Sequence, residues 1–81
     1  MVSESQSQPH FHYDLKGLKC PLPALKAGKR LAALAPGSVL TVETTDPLAV
    51  IDIPHLCQEA GHRLITSEAT ATGHRFVIKR A

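Results

Sequence analysis

The chain has 81 residues, 43% of them hydrophobic, with a formal net charge of +2 and two cysteines. This length makes one small domain, and with Phe11, Tyr13 and Phe76 as the only aromatics its core must be aliphatic. The charge is too small for nucleic-acid binding by the whole surface, no apolar run is long enough to span a membrane, and the N-terminus lacks the pattern of a secretory signal.

Residues 1 to 9 are polar, rich in Ser and Gln and without apolar periodicity, and are expected to form a disordered tail before a single domain over residues 10–81. The alternation from Phe11 to Leu15 predicts a strand with Phe11, Tyr13 and Leu15 on one face. Gly17 lies in the tight connection that follows, where a positive φ costs it nothing. A helix is expected from Pro21 to Ala35, with Leu22, Leu25, Ala32 and Ala35 on its apolar stripe and Leu31 and Leu34 widening it. Gly28 inside it suggests a close approach to the sheet, and Ala35-Pro36-Gly37 ends it.

Val39 to Thr45 reads as a second strand, parallel to the first because a helix joins them. The next helix has two possible starts, and the one with Asp52 as cap and Pro54 in the first turn gives Ile53, Leu56, Cys57 and Ala60 a single face. Pro47 to Ile51 is then a preliminary turn, and Gly61 the stop. Two strands, His62 to Ala71 and His74 to Arg80, complete a βαβαββ order. The fold class is α/β in the broad sense, an α+β two-layer sandwich with both helices on one face of a four-stranded mixed sheet.

Cys20 falls where the first strand hands over to the first helix. Pro21 pushes it towards extended geometry, as in an N-cap, which puts Pro21 and Pro23 in the turn whose N–H groups lack intrahelical partners. A thiol there meets the positive end of the helix dipole. Between Asp14 and Glu43 there is no acidic residue, whereas Lys16, Lys19, Lys26, Lys29 and Arg30 all fall in that interval. The expected surroundings of Cys20 are therefore positive and thiolate-stabilising.

With Pro23 in place of a second cysteine, the turn cannot form a local dithiol couple. A lone reactive thiol of this kind suits acceptance of a sulfur atom as a persulfide and its onward transfer. Cys57 lies on an apolar stripe and reads as core, and a Cys20–Cys57 redox pair is a rival that needs the two side chains brought together. The five histidines lack the spacing of a metal site, so no metal and no cofactor are expected. Asp14 reads either as bonding the loop after it or as orienting the Cys20 turn, and Asp46 and Asp52 as helix caps.

The run Tyr13 to Pro23, with Asp14, Gly17, Cys20, Pro21 and Pro23, resembles the signature of the TusA/SirA-like sulfur-carrier family. Asp46-Pro47 and Asp52-Ile53-Pro54 are similar to the family's second stretch, and the resemblance runs from about residue 11 to residue 80. It implies the same two-layer fold and a sulfurtransferase acting as a persulfide carrier on Cys20. The implied partners are a cysteine desulfurase or rhodanese-like donor and a protein acceptor, in the cytoplasm. The family's branches serve tRNA thiolation, sulfur oxidation, molybdenum-cofactor or selenium pathways. A monomer without direct nucleic-acid contact is expected. The alternative is a non-catalytic module that binds protein or RNA through its basic first helix.

Overall fold

In the computed structural model, which describes residues 9–81, the elements are β1 (His10–Asp14), α1 (Leu22–Ala33), β2 (Val39–Thr44), α2 (Ala49–Ala60), β3 (Arg63–Ala69) and β4 (His74–Lys79). The expected tail, apart from Pro9, lies outside the described residues; the Pro9 carbonyl accepts the Val39 N–H at 2.9 Å. The four strands lie in the order β1-β2-β4-β3, with β1 parallel to β2 and the other pairs antiparallel. The βαβαββ order and the mixed sheet match the expectation from sequence.

Register aligns one apolar face. Phe11 and Tyr13 stand opposite Leu40 and Val42, which stand opposite Ile78 and Phe76. Leu40, Val42, Phe76 and Ile78 are fully buried and share one core with Leu15, Ala27, Leu31, Ala49, Ile53 and Cys57, so both helices cover this face. β4, last in sequence, is central because its inward residues are fully buried; β3, nearly all exposed and interrupted by a register shift between Leu64 and Thr66, makes an edge. The open face carries a row of charge from strand to strand. Glu43 accepts from His12 at 2.9 Å and lies 3.8 Å from Arg75, which pairs with Glu68 at 2.8 Å.

Both helices depart from expectation in detail. In α1 the buried stripe is Pro23, Ala27 and Leu31, at spacing i, i+4, i+8, whereas Leu22 and Leu25 are exposed, as are Ala32 and Ala35. Apolar residues cover so much of this helix that periodicity alone leaves its rotation open, and the small Ala27 admits the closest packing. Gly28 faces the other helix rather than the sheet: a Cβ there would lie 3.0 Å from Leu56 Cδ1. Arg80 donates from Nε to the Leu31 carbonyl at 2.7 Å, satisfying the end of α1.

α2 begins at Ala49, so Asp52 lies within its first turn and does not cap it, and Pro54 is inside the helix. The Ala49 N–H donates to the Asp46 carbonyl and Asp52 N–H to that of Leu48, so Pro47-Leu48 leads directly into the helix. Pro54 removes the donor to the Val50 carbonyl, and Val50 is exposed, where water can take its place. Ile53 and Cys57 are buried with Ala49, while Leu56 is half-buried and Ala60 exposed. Gly61 ends the helix in the left-handed region, as its position suggested.

Candidate functional site

β1 and β2 run parallel side by side, so the loops leaving their C-terminal ends meet. The first loop, from Leu15 to Pro21, is tied down at each end. Leu15 is buried and its N–H donates to the Glu43 carbonyl at 2.9 Å; Asp14 Oδ1 accepts the Lys16 N–H at 3.0 Å. That bond matches the local reading of Asp14. Gly17, at φ +88°, donates its N–H to Thr45 Oγ1 at 2.8 Å, so a residue of the second loop holds the first.

The same cross-loop pattern reaches the sulfur. The Cys20 N–H donates to Asp46 Oδ2 at 3.1 Å, and the Cys20 thiol donates from Sγ to Asp52 Oδ2 at 2.7 Å. The cap reading of these two aspartates is thereby corrected: no side chain caps α2, and both carboxylates are turned to Cys20. The sequence did carry a signal for them, since Asp46-Pro47 and Asp52-Ile53-Pro54 form the second half of the motif resemblance.

The helix start is displaced by one residue from expectation. Pro21, joined to Cys20 by a cis peptide bond, occupies the N-cap position, Leu22 opens the helix and Pro23 follows. The Leu22 N–H donates to the Lys19 carbonyl at 2.8 Å, so it is not free to face the sulfur. The expected positive surroundings are also corrected. The hydrogen bond to Asp52, loss of hydration, and the charges of Asp52 and then Asp46 raise the Cys20 thiol above its ordinary range. Cys20 is held as a thiol.

Cys20 is exposed and borders an open groove of about 400 Å³ between the helices, with Pro21, Ala24, Leu25 and Leu56 as its apolar lining. Asp52, His55 and Glu59 of α2 supply its polar side. The basic residues of α1 lie elsewhere. Lys26, Lys29 and Arg30 line a second groove, of about 330 Å³, with Tyr13 and Ala33. At 100° per residue, the two grooves fall on opposite sides of the buried Pro23–Ala27–Leu31 stripe.

Cys57 is buried in the core, where loss of hydration raises its thiol; this matches the core reading. Among the described residues, no group of three or more His, Cys, Asp or Glu side chains is placed to hold a metal ion, and no helix is long and apolar enough to cross a membrane.

A family model described as Sulfurtransferase TusA matches residues 12–80, which takes in the end of β1, every later element and both loops of the site. The chain belongs to the TusA sulfurtransferase family.

Proposed function

We propose that this protein, acting as a single domain over residues 10–81, is a sulfur carrier that accepts persulfide sulfur on Cys20 and relays it to a partner protein. The observation that carries the reading is the placement of Cys20: an exposed thiol at the head of α1, at the edge of an apolar groove, while Cys57 is closed into the core. Family membership supports a role in sulfur relay between proteins. The donor is a cysteine desulfurase or a rhodanese-like protein, the acceptor another thiol protein, and the setting cytoplasmic, in tRNA thiolation or a related sulfur-trafficking pathway.

Each transfer is a displacement at sulfur. The Cys20 sulfur gives up its proton and attacks the outer sulfur of a donor persulfide, the donor's S–S bond breaks with its electron pair on the inner sulfur, and that leaving thiolate takes up the proton that Cys20 released. Pro23 and the burial of Cys57 leave the Cys20 persulfide without a nearby intramolecular thiol to discharge it. The test is intact mass after incubation with a cysteine desulfurase and cysteine, and in parallel with a persulfide-loaded rhodanese. The expected result is a gain of one sulfur atom that dithiothreitol removes and that Cys20→Ser abolishes while Cys57→Ser does not. No gain from either donor overturns the reading.

A second reading, a module that binds an acidic protein or RNA without chemistry, is favoured by the basic groove of Lys26, Lys29 and Arg30. Under it, Cys20→Ser preserves function and Lys29→Glu abolishes it.

A further inference from the structure

The mechanism leaves two carboxylates unexplained. Asp52 accepts from the Cys20 thiol and Asp46 from the Cys20 amide, yet neither makes an ion pair with a cation among the described residues. The other charged or titratable groups close to the sulfur are His55 and Glu59 in the groove wall and Lys19 next in the chain. His55 lies 3.9 Å from Glu59. Lys26, Lys29 and Arg30 line the other groove.

Loading replaces the thiol with a stronger acid. A persulfide is more acidic than its thiol, so at neutral pH the outer sulfur of loaded Cys20 carries negative charge. Beside Asp52 and Asp46 that charge is repelled, whereas the unloaded thiol is neutral and donates to Asp52. The two states of the carrier are thus treated oppositely by the same pair of side chains.

We propose that Asp52, seconded by Asp46, is a positioning residue that biases Cys20 towards giving sulfur up, by stabilising the unloaded thiol and destabilising the loaded persulfide. This rests on the carrier reading. In the hand-on step the outer sulfur of loaded Cys20 takes up a proton from water, and an acceptor thiol R–SH attacks it in the resulting Cys20–S–SH. A new S–S bond forms to the acceptor, the Cys20–S bond to that sulfur breaks with its electron pair on Sγ, and Sγ takes the proton that the acceptor thiol gave up. The products are Cys20–SH and R–S–SH, with no net oxidation. Sγ ends as the hydrogen-bonded thiol facing Asp52.

The experiment uses the full chain and a donor that needs no protein docking. Cys57→Ser protein, alone and with Asp52→Asn or Asp46→Asn added, is equilibrated at pH 7.5 with a fixed ratio of glutathione persulfide to glutathione, and the loaded fraction of Cys20 is read by intact mass. The amide in Asp52→Asn can still accept a hydrogen bond, so the variant removes charge while leaving the contact possible. Loss of one carboxylate charge at this range is expected to raise the loaded-to-unloaded ratio about tenfold in Asp52→Asn, and by less in Asp46→Asn. Iodoacetamide alkylation of Cys20 should also become faster in Asp52→Asn, with its pH midpoint moved down. Circular dichroism checks the fold, and Asp52→Glu, which keeps the charge, should restore a ratio near that of the parent protein. An unchanged ratio, or one that falls, overturns the proposal while leaving the carrier reading intact. Sulfur on Cys20 in neither parent nor variants overturns the carrier reading itself, and the bias with it.

Discussion

Leu56 of α2 lies over Gly28 of α1 so closely that a Cβ on Gly28 would meet Leu56 Cδ1 at 3.0 Å. This is where the two helices set their spacing. The spacing matters for the site, because Cys20 precedes α1 and its hydrogen-bond acceptor, Asp52, belongs to α2. Gly28→Ala should be close to neutral, within about 1 kcal/mol in urea unfolding: Ala favours the helix by about that amount, and the methyl of Leu56 is the end of a flexible side chain. Gly28→Leu cannot be absorbed that way. It should cost about 2 kcal/mol or more and should change the rate of Cys20 alkylation, since the helices must part.

Gly73 presents a harder limit. A Cβ there would lie 1.9 Å from the Thr44 carbonyl oxygen and 2.7 Å from Thr45 Cα, both backbone atoms. Gly73→Ala must displace the β3–β4 turn from the end of β2 and should cost about 3 kcal/mol by urea unfolding. Because Thr45 holds the Gly17 amide, the same variant should also loosen the Cys20 loop, seen as faster amide exchange at Gly17.

In the core, Leu31 is fully buried between α1 and the sheet. Leu31→Ala should cost about 2–5 kcal/mol, a large part of the total stability of a domain this small. The urea midpoint should fall steeply.

On the open sheet face, the Glu43 carboxyl is held below its ordinary value, first by the hydrogen bond from His12 and also by the charges of Lys16, His12 and Arg75. A group with a depressed folded value stabilises the fold above its unfolded value and loses that contribution as pH falls through the folded one. Glu43→Gln should therefore lower the unfolding temperature at pH 7. The difference from the parent protein should shrink as pH falls below the ordinary glutamate value of about 4.3, as the unfolded chain takes up the proton first and the folded carboxyl only at lower pH. A difference that stays constant down to pH 3 would assign the effect to packing instead.

Leu25 is 62% exposed on the wall of the sulfur groove. Leu25→Asp should leave stability within about 0.5 kcal/mol, since the side chain packs against little of the protein. If the groove receives the partner in sulfur relay, uptake of sulfur from a protein donor should fall about tenfold while iodoacetamide alkylation changes far less. Equal loss in both would mean that the Cys20 turn itself had been disturbed.

The local sequence by itself determined the order of elements and the place of the reactive residue. Alternation in Phe11–Leu15 and Val39–Thr45, the prolines after Cys20 and the stop at Gly61 are short-range signals, and each acts through the backbone of its own segment. The burial of Cys57 followed in the same way from its place on an apolar stripe. What surrounds the sulfur was decided by tertiary structure. Asp52 is 32 residues from Cys20 and Asp46 is 26, and only the parallel pairing of β1 and β2 brings their loops together. Lys26, Lys29 and Arg30 were carried away from the sulfur groove by the rotation of α1. That rotation is set by packing, with Pro23, Ala27 and Leu31 turned into the core and Gly28 against Leu56, because a helix apolar on most sides has no single face that its own sequence can name.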